Sequence, residues 1–117
     1  QMAALYALSR PDIPLEAAKV FEHKRDFMYE GLSSIEGITC TKPSGAFYIF
    51  PNVSAVGLDV TKFCYDLLDQ EAVACVPGDA FGVSGAGHIR ISYANSMENL
   101  SLALKRMTRF IARNRTV

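Results

Sequence analysis

The sequence predicts an α+β fold, a two-layer sandwich in which helices pack on one face of a small, mostly antiparallel sheet. Three observations predict it. Stretches 14–36, 59–68 and 95–111 repeat apolar residues every three to four positions, as helices with one buried face do. Short apolar or aromatic runs lie between them, bounded by Pro, Gly, Asp or Ser, which is the pattern of strands and their turns. The chain has 117 residues, 50% hydrophobic and 21% charged, which suits one domain, 1–117, with a modest core.

Gln1 to Leu8 is apolar and alanine-rich with no cap before it, and reads as the end of a helix that begins upstream. Ser9-Arg10-Pro11-Asp12 breaks that helix, because proline disfavours helix in the residue before it. Residues 1–12 are thus expected to be a linking helix and connector from a large domain outside the segment. Pro14 suits the first turn of the next helix and Glu16 the positive end of its dipole. Ala17, Val20, Phe21, Phe27, Met28, Leu32 and Ile35 form its buried face, and Gly37 is the expected terminator. Ile38–Lys42 reads as a short strand, Pro43-Ser44-Gly45 as a bend, and Ala46–Phe50 as a second strand covered on both sides. Asp59 or Thr61 caps a helix with Val60, Phe63, Cys64, Leu67 and Leu68 in its stripe. Asn95 with Glu98 reads as a capping-box variant ahead of the cleanest stripe, Leu100, Ala103, Leu104, Met107 and Ile111.

Acidic and basic residues balance at twelve each, so no whole-chain field draws in nucleic acid or an acidic membrane. Lys105, Arg106, Arg109, Arg113 and Arg115 crowd the end with no acid among them, which reads as a cationic helix C-terminus and a solvated tail. No aromatic residues interleave with these charges, so the cluster lacks the stacking platforms of a nucleic-acid site. No apolar run approaches membrane-spanning length. Cys40, Cys64 and Cys75 sit in apolar contexts without a CxxC or a neighbouring His cluster. They read as small buried hydrophobes in a reducing compartment, the cytoplasm, with no metal site and no disulfide.

The chemistry is expected between Ala74 and Asn95. An apolar run ending at Val76 enters Pro77-Gly78, a glycine-rich loop follows (Gly82, Gly85, Gly87), and a second run spans His88 to Tyr93. Alternation puts His88, Arg90 and Ser92 on one face and Ile89, Ile91 and Tyr93 on the other. With the isoleucines on the core, Arg90 stands on a rigid strand beside the loop. Its planar fork suits bidentate grip on a carboxylate or phosphate. The alternative is an ordinary strand arginine, solvated or paired with a nearby acid.

Four pieces in order carry a resemblance: Lys24-Arg25-Asp26, Pro43-Ser44-Gly45-Ala46-Phe47-Tyr48, Val76-Pro77-Gly78 with Phe81-Gly82, and Gly87-His88-Ile89-Arg90-Ile91-Ser92-Tyr93-Ala94. Together they resemble the C-terminal small domain of the fold-type I, class I/II aminotransferases, pyridoxal-phosphate enzymes that include aspartate aminotransferase. The resemblance implies that Arg90 binds the α-carboxylate of an amino acid or 2-oxo acid, and that Phe47 either lines that pocket or is a core aromatic. It implies pyridoxal 5'-phosphate as cofactor, bound by the large domain, and a homodimeric parent. The family's Schiff-base lysine lies upstream of the matched part. Lys19, Lys24, Lys42, Lys62 and Lys105 lack its context and read as surface residues. The segment is therefore expected to contain no catalytic and no cofactor-binding residue, and to be inactive alone. A same-fold lyase or synthase parent and a stand-alone α+β amino-acid-binding or regulatory module are the alternatives.

Overall fold

The computed structural model describes residues 1–115. Among them the chain forms α1 (Met2–Leu8), α2 (Asp12–Ser33), β1 (Tyr48–Ile49), α3 (Val60–Glu71), β2 (Val76–Pro77), β3 (Ile89–Ser92) and α4 (Met97–Asn114), with short 3-10 turns at Ser54–Val56, Gly78–Phe81 and Val83–Gly85. The fold is the expected α+β one. Its sheet has the order β1-β3-β2, antiparallel throughout. β3 is central, pairing Ser92 and Ile91 with Tyr48 and Ile49 on one side, and Arg90 and Ile89 with Val76 and Pro77 on the other. Pro77, which has no N–H to donate, is tolerated because β2 is an edge.

This register gathers Ile49, Ile89 and Ile91 on one face, where they are buried. α2 brings Met28 and Leu32 to that face, α3 brings Phe63 and Leu67, and α4 brings Leu100, Met107, Phe110 and Ile111. Phe63 and Phe110 meet edge to face with ring centroids 5.2 Å apart, a geometry that suits the ring quadrupoles. α2 and α4 touch closely at Gly31, where a Cβ would run into the side chain of Leu104. Tyr93 closes the end of the core by donating its hydroxyl to the Ala46 carbonyl at 2.8 Å.

Several local expectations are corrected. Ile38–Lys42 is not a strand: only Thr39 pairs, with Asn52, which in turn pairs with His88. Pro43 follows at once and can donate nothing to a longer ladder. The Ala46–Phe50 run shrinks to Tyr48–Ile49 and is covered on one side, Ile49 being buried while Tyr48 is half-buried and Phe50 36% exposed on the other. The helix expected to end at Gly37 stops at Ser33, where the Ser34 hydroxyl donates to the Gly31 carbonyl at 2.7 Å. Serines compete in this way for helix carbonyls. Gly37 takes the positive φ of +93° further on. Asp59 does cap α3, accepting from the Lys62 amide at 3.0 Å. Ser96, not Asn95, caps α4 by accepting from the Asn99 amide at 3.1 Å. Asn95 supports that turn, its side-chain oxygen accepting from the Ser96 amide and the Asn99 side chain, both at 2.9 Å.

Candidate functional site

The site is built on β3. Ile89 and Ile91 are anchored in the core, so the residue between them must project from the opposite face of the sheet. That residue is Arg90. Its guanidinium carbon lies 4.3 Å from the Tyr48 ring centroid and 4.4 Å from that of Phe81. Tyr48 comes from β1 and Phe81 from the turn after β2, so one ring reaches Arg90 from each side of β3. Such contacts contribute about 0.5–2 kcal/mol each, according to how far they are desolvated. Both faces of the guanidinium meet aromatic rings, and stacking leaves its N–H edges available to a ligand.

The loop that carries Phe81 is pinned by close backbone packing. The Gly78 amide donates to the His88 carbonyl at 2.7 Å. Gly78 and Gly85 lie against each other so tightly that a Cβ on either would strike the other's backbone. Gly82, at φ +116°, makes the turn between them, in a region that side chains resist. Phe50 stacks flat on His88 with 5.2 Å between centroids and meets Phe81 edge-on at 6.2 Å. His88 in turn holds the Ala86 carbonyl through Nδ1 at 2.8 Å. Tyr48, Phe50, Phe81 and His88 thus form an aromatic wall around Arg90.

The charge pattern singles out Arg90. Five of the seven arginines, Arg10, Arg25, Arg109, Arg113 and Arg115, hold a carboxylate. Among the described residues Arg90 and Arg106 hold none, and Arg90 alone is stacked between rings. A half-buried guanidinium that holds no carboxylate among the described residues has the chemistry to accept an anion.

Phe47 stands elsewhere. It sits in the bend before β1, its ring 4.3 Å from Tyr48 and 6.3 Å from Phe21. There it lines a cavity of about 480 Å³ between α2 and residues 44–47, together with Phe21, Arg25 and Tyr93. Arg90 does not line that cavity, and Tyr48 stands between Phe47 and Arg90, in contact with the ring of one and the guanidinium of the other. Tyr48 and Phe81 were not singled out in the sequence, although alternation from Ile49 already places Tyr48 on the Arg90 face.

Among the described residues no lysine stands beside Arg90 to join it in a pyridoxal-phosphate site. The side chains packed on Arg90 are aromatic, with no lysine among them. Lys42 pairs with Asp26 at 2.9 Å and Lys62 with Asp66 at 2.5 Å, while Lys24 lies over the Phe21 ring at 5.5 Å. Lys19 and Lys105 are exposed. Among the described residues no three His, Cys, Asp or Glu side chains group as metal ligands, and no helix is long and apolar enough to cross a membrane.

Known proteins agree with this architecture. The putative aminotransferase YugH of Bacillus subtilis (strain 168) is 45% identical over 112 residues, covering 95% of this chain and 29% of that protein. The aspartate aminotransferase of the same organism is 39% identical over 120 residues, covering 97% and 30%. Among solved structures, the aspartate aminotransferase from Thermotoga maritima superposes with a TM-score of 0.80 at 37% identity, over 94% of this chain and 27% of that one. The alanine aminotransferase from Pyrococcus furiosus does so with 0.78 at 38% identity, over 81% and 24%. The chain therefore spans less than a third of the length of these relatives. The family model for aminotransferases of class I and II matches residues 1–107, the stretch that holds the sheet, the glycine loop and Arg90, and the chain belongs to that family.

Proposed function

We propose that this chain is the C-terminal small domain of a pyridoxal-phosphate aminotransferase, which moves an amino group between an amino acid and a 2-oxo acid. In this reading Arg90 holds the substrate α-carboxylate. The observation that carries it is the guanidinium stacked between Tyr48 and Phe81 with no carboxylate of its own among the described residues. Two parallel N–H···O bonds from a fixed fork orient the substrate as well as bind it, which a single point charge does not. Phe47, one ring away across Tyr48, lines the approach on the α2 side. The cofactor and the lysine that carries it belong to the large domain, outside these residues, and the working protein is a cytoplasmic homodimer.

The test exchanges this chain for the matching segment of the Bacillus subtilis aspartate aminotransferase. Arg90→Lys in that enzyme lowers kcat/KM by about two orders of magnitude, near 3 kcal/mol, as loss of a bidentate charged pair does. The loss falls on amino-acid and 2-oxo-acid substrates alike, since both present the α-carboxylate. Arg106→Lys, at the other arginine without a carboxylate, leaves kcat/KM within about twofold. In the isolated chain, a 2-oxo acid shifts the Arg90 Nε–H resonance. An Arg90→Lys enzyme with wild-type kcat/KM, or an Arg90 resonance that ignores the 2-oxo acid, refutes the assignment.

A further inference from the structure

Cys75 immediately precedes Val76, the cross-strand partner of Arg90, yet the proposed carboxylate grip uses neither Cys75 nor Cys64. The sequence offers no motif for the pair, which stands eleven positions apart. In the fold their sulfurs are 3.4 Å apart, the Cys75 thiol donating to Cys64. Local backbone makes this contact. α3 ends at Ala72, whose left-handed φ of +52° turns the chain back along the helix. The Ala72 and Val73 amides close the reversal onto the carbonyls of Leu68 and Leu67 at 2.9 and 3.4 Å. Cys75, just before β2, is thereby laid over Cys64 on the buried side of α3. Cys64 is buried and Cys75 half-buried, so a small oxidant has a way in that a protein does not. Cys40 differs: its thiol donates to the Thr41 carbonyl at 3.6 Å and, among the described residues, hydrogen-bonds no other thiol.

We propose that Cys64 and Cys75 form a redox-active dithiol that a peroxide closes to a disulfide, tying α3 to β2. The roles of the two sulfurs follow from their contact. The hydrogen bond from Cys75 lowers the Cys64 thiol below its ordinary range, outweighing burial and the Asp79 and Asp59 carboxylates, while the same bond and burial push Cys75 up. Cys64 is therefore the attacking thiolate. It takes the distal oxygen of hydrogen peroxide, the O–O bond breaks, and hydroxide leaves, so that Cys64 becomes a sulfenic acid. Cys75 then attacks the Cys64 sulfur, the S–O bond breaks, and the Cys75 proton leaves with the departing oxygen as water. Two thiols are oxidised by two electrons and one peroxide is reduced. The sulfurs have only to close from contact to a bond of about 2 Å. A thiol reductant reverses the step by exchange.

The experiment treats the 117-residue chain with stoichiometric hydrogen peroxide, alkylates, and maps the peptides. The expected product has lost two hydrogens, keeps one alkylatable thiol, at Cys40, and yields one disulfide joining the peptides of Cys64 and Cys75. Its urea midpoint rises, and dithiothreitol restores the original value. In Cys75→Ser, Cys64 stops at sulfenic or sulfinic acid and the midpoint does not rise. Three alkylatable thiols after treatment overturn the proposal. So does oxygen retained on Cys64 in the unsubstituted chain, or a disulfide that involves Cys40. The peptide map of the unsubstituted chain decides the matter even where a variant fails to fold.

Discussion

At the scale of single residues, Arg90 depends on neighbours that hold it without neutralising it. Two rings lie on its faces, and one of them is held by backbone that admits few substitutions. Phe81 is held by the Gly78–Gly85 contact, where two backbone segments touch with no side chain between them. Adding one methyl group at Gly85 forces these segments apart, and overpacking of this kind costs about 1–3 kcal/mol. Gly85→Ala is therefore expected to lower the urea-unfolding free energy by that amount and to free Phe81 from Arg90. Gly45→Ala is the control, since nothing lies within 4 Å of a Cβ built there. It should stay within about 0.5 kcal/mol of the parent. Equal losses in the two variants would show that the glycine contact does not hold the loop.

At the scale of elements, α3 and α4 are joined by an ionic contact as well as by the core. Glu71, the last residue of α3, is only 4% exposed and accepts from Arg109 and Arg113, one turn apart on α4, with Arg109 Nε at 3.1 Å. The Arg109 hydrogen bonds, and then the charges of both arginines, hold the Glu71 carboxyl below its usual range. A lowered carboxyl pKa means that the pair stabilises the fold above the unfolded carboxylate pKa, and that this support is lost as pH falls through the folded value. Glu71→Gln is expected to be less stable than the parent at neutral pH. The gap should narrow as pH drops below about 4, the ordinary carboxylate range. Urea midpoints across that range check it, and parallel pH profiles for the two proteins would rule the pair out as a source of acid sensitivity. Asp12 and Asp26 are also lowered by their cationic partners, but at more exposed positions where solvent screens the effect. The contrast with the sequence is instructive here. The helices and central strand were legible because their stripes and alternation are local patterns, and the outward placement of Arg90 on β3 was legible because it follows from one of them. Arg109 and Arg113 of α4 and Arg115 just beyond it looked like a solvated cluster because their acids, Glu71 and Glu36, lie far back in the chain. The Cys64–Cys75 contact was hidden for a similar reason, since it depends on a left-handed Ala72 that no glycine announces. Tyr48 reaches Arg90 through strand register and Phe81 through the fold of the glycine loop, neither of which composition contains.

At the scale of the whole molecule, the fold is a core with one end left uncovered. The radius of gyration is 16.1 Å, against about 13 Å for a compact chain of this length, because α1 and the first half of α2 extend away from the core. Residues 1–20 are all exposed, including Met2 at 88% and Leu8 at 83%, with Leu5, Tyr6, Leu15 and Val20 beside them. Clustered exposed apolar side chains of this kind suit a contact face. In the proposed reading the large domain covers it, and the same domain brings the lysine that carries the cofactor. Catalysis is then divided, with the carboxylate grip on this chain and the cofactor held elsewhere. The division has a direct chemical test in the lysines. A cofactor lysine must stand in a site that also grips the phosphate and the ring, whereas here Lys42 and Lys62 are tied to Asp26 and Asp66, and Lys19 and Lys105 face solvent. Mixing the chain with one equivalent of pyridoxal phosphate and reducing with borohydride should leave most of it unmodified by intact mass, with the little adduct spread over several lysines. A single stoichiometric adduct on one lysine would mean that this chain holds the cofactor itself, and that Arg90 and the lysine belong to one site.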